Sequence, residues 1–166
     1  RTHKDNSEAL FMQMLSDHKD SFYRIAYSYV KNEQEALDVV QESVCKGYVA
    51  LKKIKEESYM KTWFTRIVIN TSINSLNKGK RIMPFEIVKE TDVQFESHDI
   101  ERNLDLYDAL NILKTNERSI VVLRFFEDHK LEDIAQVMDM PLNTVKTTLY
   151  RGLKKLRRHL EEENEH

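Results

Sequence analysis

Residues 143–160 carry Lys146, Arg151, Lys154, Lys155, Arg157 and Arg158 with no acid among them. Cations at such spacing neutralise phosphates, and an arginine presented at the right angle takes a guanine edge through two parallel hydrogen bonds. With about 100° between successive residues of a helix, Val145, Leu149, Leu153, Leu156 and Leu160 gather on one side. Thr144, Thr147, Arg151, Lys154 and Arg158 fall on the other. Thr144 and Thr147 are poor mid-helix residues by propensity, so contact explains their outward placement better than helix stability does. The first turns of such a helix fit the major groove, and the later cations hold phosphates. A basic face standing alone is more simply a solvated one, so the residues before it must decide.

Those residues spell a helix-turn-helix. The motif needs a small residue where its two helices cross, a residue that tolerates a left-handed backbone in the turn, and apolar inner faces. Ala135 meets the first need and Asp139 the second, while Ile134, Met138, Met140 and Val145 supply the inner faces. Pro141 prevents the first helix from continuing. The net charge of −2 hides this basic segment, because the acidic run Glu161-Glu162-Glu163-Asn164-Glu165 follows it directly.

Other chemistry is sparse. Cys45 is the single cysteine, so no internal disulfide can form, in keeping with a reducing cytosol. His3, His18, His98, His129, His159 and His166 stand at no metal-ligand spacing with one another or with Cys45, and no metal site is expected. With no glycine-rich phosphate loop and no nucleophile beside a base, neither catalytic residues nor a cofactor nor a small-molecule substrate is expected, and the chain is read as a non-enzyme.

The elements that must position these residues are helices. Three Gly and two Pro in 166 residues leave little turn chemistry for a sandwich or barrel. No run approaches the roughly 18 apolar residues of a membrane span, and Arg1-Thr2-His3-Lys4-Asp5 leads into no signal-peptide core. The opening Arg1 in place of Met suggests that a few native residues are missing or replaced there. Phe11, Met14, Leu15, Phe22, Ile25, Ala26 and Tyr29 form one apolar stripe, followed by a break at Val30-Lys31-Asn32. A second helix, from about Glu33 to Leu51, is expected to bury Leu37, Val40, Val44 and Leu51 and to expose Asp38, Gln41 and Glu42, with Cys45 on the same outer side. Ser58 is the expected N-cap of a third helix reaching about Asn77.

Between Gly79 and Asp99 the helical period fails, and acids outnumber bases, as in an acidic linker. Beyond it Leu104, Leu106, Tyr107, Leu110 and Leu113 predict a fourth helix. A fifth is expected to be capped by Thr115 and to run through Ile120, Val121, Leu123, Arg124 and Phe125. Leu131–Met138 and Asn143–Leu160 complete the set. The expected fold class is all-α: two small helical domains, 1–78 and 100–166, joined by the linker 79–99.

Leu131-Glu132-Asp133-Ile134-Ala135 and Asn143-Thr144-Val145-Lys146-Thr147-Thr148-Leu149-Tyr150-Arg151 resemble region 4.2 of extracytoplasmic-function sigma factors of RNA polymerase. Ala36-Leu37-Asp38-Val39-Val40-Gln41-Glu42 is similar to their region 2.2, and Trp63-Phe64-Thr65-Arg66-Ile67-Val68-Ile69-Asn70 to their region 2.3. The two matches stand in the family's order and cover most of the chain outside 79–99.

The resemblance implies a region 2 bundle of three to four helices and a region 4 domain with the helix-turn-helix. Asp38, Gln41 and Glu42 would dock on the clamp helices of the polymerase's largest subunit. On the third helix Trp63, Arg66, Ile67, Asn70 and Asn74 share a stripe. By matching position Asn70 would take an extruded base of the downstream promoter element, and Arg66 and Lys61 the strand's backbone. Asn74 lies on the same stripe, and Trp63 is either a stacking platform or a core residue. Lys146, Thr147, Thr148, Tyr150 and Arg151 would contact the upstream element, joined by Thr144, Lys154 and Arg158 from the helical face and by Lys155 beside them. Many relatives carry Ser and Arg where Thr147 and Thr148 stand. Gly152 replaces a frequent Ala, lowers helix propensity by about 1 kcal/mol and is expected to let the helix bend over the groove.

The implied partners are core RNA polymerase, promoter DNA and a membrane-anchored anti-sigma factor that would hold a cytoplasmic protein at the inner membrane face until a signal releases it. Free of partners, the chain would be monomeric. The alternative is a stand-alone helix-turn-helix transcriptional regulator, which explains residues 100–160 equally well but leaves the Asp38-Gln41-Glu42 and Trp63-to-Asn70 segments as coincidences.

Overall fold

The structure, a computed structural model, describes residues 2–82 and 104–164. The chain divides into two compact units, Arg1–Glu90 and Thr91–His166. The fold is all-α, as its composition predicts. Of the expected linker, residues 83–99 lie outside the described part, and residues 79–82 continue the third helix.

In the first unit α1 spans Thr2–Val30, with a kink at His18 where the backbone leaves helical angles (φ −123°, ψ 16°). Its stripe buries Phe11, Phe22, Ile25, Ala26 and Tyr29, with Met14 and Leu15 half-buried. The predicted break is a helix stop. Lys31 takes a left-handed φ of 54°, and its N–H donates to the Tyr27 carbonyl at 2.9 Å. Asn32 then caps α2 (Glu33–Ala50), its side-chain oxygen accepting the Glu35 N–H at 2.9 Å.

The buried face of α2 is not the one its large apolar residues predict. Ala36, Val39, Ser43 and Gly47 face the core, whereas Leu37 is 42% exposed and Val40 and Val44 are half-buried; of the expected stripe only Leu51 is fully inside. The reason is steric. A Cβ on Gly47 would lie 3.0 Å from Phe11 Cζ and 3.1 Å from the Phe64 ring, so α2 crosses the bundle on its smallest residues and the bulk comes from its neighbours. Phe64 meets Phe22 edge-on at 4.8 Å between centroids and Phe11 at 5.5 Å.

Single 3-10 turns at Leu51–Lys53 and Glu57–Tyr59 lead into α3, Met60–Ile82. Ser58 sits inside the second turn, so it is not the N-cap that its type suggests. Three buried hydroxyls, Ser43, Thr65 and Ser72, donate to carbonyls one turn back in their own helices at 2.7 Å, which lets them be buried without loss.

In the second unit α4 (Leu104–Ala109) runs through a 3-10 turn, Leu110–Ile112, toward α5 (Thr115–Val121). Tyr107, Leu110 and Leu113 are buried as expected, and Leu106 is exposed. Lys114, one residue ahead of Thr115, occupies the cap position; its N–H donates to the Glu117 carboxylate at 2.9 Å. A π-helical stretch, Val122–Phe126, carries the chain past α5 and leaves Phe125 outside. The helices α6 (Leu131–Met138) and α7 (Leu142–Asn164) follow.

Gly47→Val should destabilise the first unit by about 1–3 kcal/mol, because the added side chain meets two fully buried rings that have no room to move. Urea unfolding of the full chain checks this. A Val variant as stable as the parent would show that the crossing is not tight.

Candidate nucleic-acid interface

The turn between α6 and α7 is built by hydrogen bonds that halt one helix and start the next. Asp139 adopts the left-handed conformation anticipated for it (φ 53°, ψ 51°). Its N–H donates to the Gln136 carbonyl at 3.3 Å and that of Met140 to the Ala135 carbonyl at 3.0 Å, the paired bonds of a Schellman stop. The Pro141 carbonyl then accepts the Val145 N–H at 3.1 Å, opening α7. Ile134 and Val145 are fully buried between the helices, with Met138 and Met140 half-buried.

On α7, Val145 and Leu149 are buried, Leu153 and Leu156 half-buried, and Leu160 is exposed because it has run past the core that the stripe was expected to cover. Thr144, Lys146, Thr147, Tyr150, Arg151, Lys154 and Arg158 all stand in solvent, Tyr150 at 71% exposure. Thr147 is steadied by its hydroxyl, which donates to the Asn143 carbonyl at 2.9 Å. Arg157 pairs with Glu161 at 3.2 Å and His159 lies 3.2 Å from Glu163, each one turn apart along the helix, which continues through the acidic run to Asn164.

Two residues expected among the DNA contacts turn away from that surface. Thr148 is only 8% exposed and packs inward beside Leu149, since one position along a helix rotates a side chain off the outer arc. Lys155 reaches to Glu117, its ammonium 2.8 Å from the carboxylate. Gly152 likewise serves packing rather than bending: a Cβ there would lie 3.2 Å from Val121 Cγ2 and 3.5 Å from Glu117 Cβ.

Glu117 is 1% exposed. Burial alone would raise its pKa, but the hydrogen bond and charge of Lys155, the Lys114 N–H and the Lys114 charge outweigh it and hold the carboxyl below its ordinary value. Sequence reasoning missed this pair. Its only trace in the sequence is an acid three residues after a helix start, which signals a cap but names no distant partner.

In the first unit Asp38, Gln41 and Glu42 are exposed on α2 as expected. Gln34 donates to Asp38 at 3.3 Å, and Lys46 lies 3.6 Å from Glu42 and donates to Thr71 at 3.3 Å. The same outer arc carries Cys45, as expected, and also Tyr48, Val49 and Leu37, of which Leu37 was expected inside. Tyr48 and Val49 continue into a cleft of about 870 Å³ that Leu51, Ile54 and Met60 also line.

On α3, Arg66, Asn70 and Asn74 are exposed, and Lys61 and Ile67 are half-buried. Trp63 is half-buried with its ring 6.2 Å from Phe11 and 6.5 Å from Phe64, so one part of it belongs to the aromatic core and the rest meets solvent. Asn74 lines a polar cleft of about 260 Å³ with Glu42, Lys46, Ser75, Asn77 and Lys78. Among the described residues no helix is long and apolar enough to cross a membrane.

A helical unit whose last helix shows a basic, hydroxyl-bearing face beyond a Schellman turn is built as a DNA-binding domain, here joined in sequence to a separate helical bundle. The chain matches the family models "Sigma-70 region 2" over residues 14–82 and "Sigma-70, region 4" over 103–156. It is similar to RNA polymerase sigma factor SigV of Bacillus subtilis (strain 168), with 40% identity covering 97% of each chain. It is also similar to ECF RNA polymerase sigma factor SigW of the same organism, with 26% identity over 95% of this chain and 92% of SigW.

Two solved structures share the fold. The sigma factor RpoE bound to the anti-sigma factor NepR, from Bartonella quintana, superposes with a TM-score of 0.71 at 24% identity, covering 91% of this chain and 96% of that one. CnrH in complex with the cytosolic domain of CnrY superposes with a TM-score of 0.72 at 20% identity, covering 92% and 88%. The chain belongs to the extracytoplasmic-function sigma factors of the sigma-70 family, and as such it directs promoter-specific transcription initiation. The region 2 match removes the coincidence on which a stand-alone regulator depended, and that alternative is not favoured.

A carboxyl whose pKa is lowered by folding contributes stability above its unfolded value and loses it as pH falls through the folded one. Glu117→Gln should therefore be less stable than the parent at neutral pH, with the gap closing as the solution is acidified below the ordinary glutamate range. Denaturant unfolding of the full chain across that range measures it. A gap independent of pH would contradict the assignment.

Proposed function

We propose that the exposed face of α7 reads the upstream promoter element, with Thr144, Lys146, Thr147, Tyr150 and Arg151 toward base edges and Lys154 and Arg158 on phosphates. The observation that carries this is the exposure of every one of these side chains on a helix whose opposite side is committed to the core. Arg151, in the third turn of the helix, has the planar fork that takes a base edge with two bonds. Lys154 and Arg158 lie one and two turns further on, where the groove falls away from a straight helix and phosphates are the nearer ligands.

The first unit complements this role. Asn70 and Asn74 offer amide edges to an extruded base of the downstream element, Arg66 and Lys61 hold its backbone, and the exposed part of Trp63 offers a ring face. Asp38, Gln41 and Glu42 form the surface that docks on core polymerase. The chain up to Ile82 then carries polymerase and downstream contacts, and the chain from Leu104 the upstream ones. An anti-sigma factor, the kind of partner held by the solved relative from Bartonella quintana, would compete for these surfaces, and membrane anchorage of that partner would keep this cytoplasmic chain at the membrane until release.

Selection from a randomised promoter library, with the full chain and core polymerase at two salt concentrations, separates these roles. Arg151→Ala should cost about 1–3 kcal/mol and relax preference at one upstream position. Arg158→Ala should weaken all sequences alike and shallow the logarithmic salt dependence by about one unit. Asp38→Ala with Glu42→Ala should lower yield on every template without altering preference. Parental preferences and salt slope in both arginine variants would overturn the reading of α7.

A further inference from the structure

The crossing of α5 and α7 concentrates three features within one helical turn. Gly152 brings the α7 backbone against Glu117 Cβ and Val121. Glu117 is among the largest fully buried side chains, in company with Ile120, Leu123 and Ile134. One of its oxygens, Oε1, accepts both the Lys114 N–H at 2.9 Å and the Lys155 ammonium at 2.8 Å, while Oε2 is buried without a hydrogen-bond partner among the described residues.

A buried carboxylate is costly to maintain, and an apolar pair of similar volume would often hold two helices as well or better. What an ion pair adds is geometric demand. An apolar contact tolerates small slides and rotations, whereas a 2.8 Å charge-assisted bond to a buried oxygen fixes the ammonium in one place. The oxygen that receives it is itself held to the first turn of α5 by the Lys114 N–H. Lys155 leaves the same helix as Arg151 and Lys154, and its stem turns inward while theirs turn out.

We infer that the Glu117–Lys155 pair is a positioning device that sets the rotation of α7 about its own axis and so aims Thr147 and Arg151 at their bases. Lys155 is then a positioning residue and makes no DNA contact of its own. The inference rests on the reading of α7 given above.

The test uses the full chain with core polymerase. Lys155→Met, Lys155→Arg and the doubly neutral Glu117→Gln/Lys155→Met are compared with the parent by promoter-library selection at two salt concentrations. Urea unfolding identifies which variants are folded under the assay conditions. In Lys155→Met, discrimination at the upstream positions should fall by about tenfold with the salt slope unchanged, and Lys155→Arg should restore most of it. Should Lys155→Met fail to fold, the double variant carries the test, since it leaves no unpaired buried charge, and the same loss of discrimination is expected. A salt slope shallower by about one unit with parental base preference would make Lys155 a phosphate contact and overturn the proposal. Parental preference and slope in a folded variant would overturn it too, by reducing the pair to a stabilising contact. A parent without any upstream preference would sink the reading of α7 itself, and the proposal with it.

Discussion

Where α7 crosses α5 there is no room for a side chain on Gly152. A Cβ at that position would press to 3.2 Å on Val121, whose own side chain is buried, so the two helices meet nearly backbone to side chain. A contact that close sets how near the two helices stand, and the rest of the unit follows from it. Val145, Thr148 and Leu149 are carried inward on the same side as Gly152, and the outer arc from Thr144 to Arg158 is exposed by elimination. A larger residue at the crossing would push the helices apart and leave Glu117 reaching for a more distant ammonium. The exposed face of α7 is thus fixed from behind, by buried residues.

The first unit solves an analogous problem with the same device. Gly47 lets α2 settle onto Phe11 and Phe64, and the aromatic cluster supplies the volume that Ala36, Val39 and Ser43 do not. Because the core side of α2 is made of small residues, its larger apolar side chains are free to lie outside, beside Asp38, Gln41 and Glu42. An exposed helical face that mixes Leu37, Tyr48 and Val49 with carboxylates suits a protein surface better than a phosphate backbone, since apolar area stabilises association while the acids select a basic partner. On α7, by contrast, six of the chain's 26 Lys and Arg residues stand within 143–160 with no acid among them. The nearly balanced net charge therefore conceals two surfaces of different character on two separate units.

What could be read from the sequence was what local pattern encodes. The stop at Lys31, the limits of α6, the left-handed Asp139 and the outer arc of α7 each depend on residues within a turn or two of one another. Each of them follows from cap chemistry or helical period alone. The misreadings have a different origin. The core side of α2 was assigned by apolar bulk, but a tight crossing selects for absence of bulk. The inward placement of Thr148 and the pairing of Lys155 were out of reach for the same kind of reason, because a residue's partner depends on which helix lies behind it, and Glu117 stands far away in sequence. Ser58 and Thr115 have the right chemistry for caps and miss the position by a residue or two, as helix ends decided by tertiary packing commonly do.

The central claim is that two helical units, one facing polymerase and the melted strand and the other facing duplex DNA, together select promoters. Run-off transcription by core polymerase with and without the full chain, on a template pool randomised across both promoter elements, tests it most directly. The account predicts transcripts that appear only when the chain is present and that derive from templates enriched in two separated sequence elements, one upstream and one downstream. Transcripts equally abundant without the chain, or drawn from the pool without sequence preference, would contradict it.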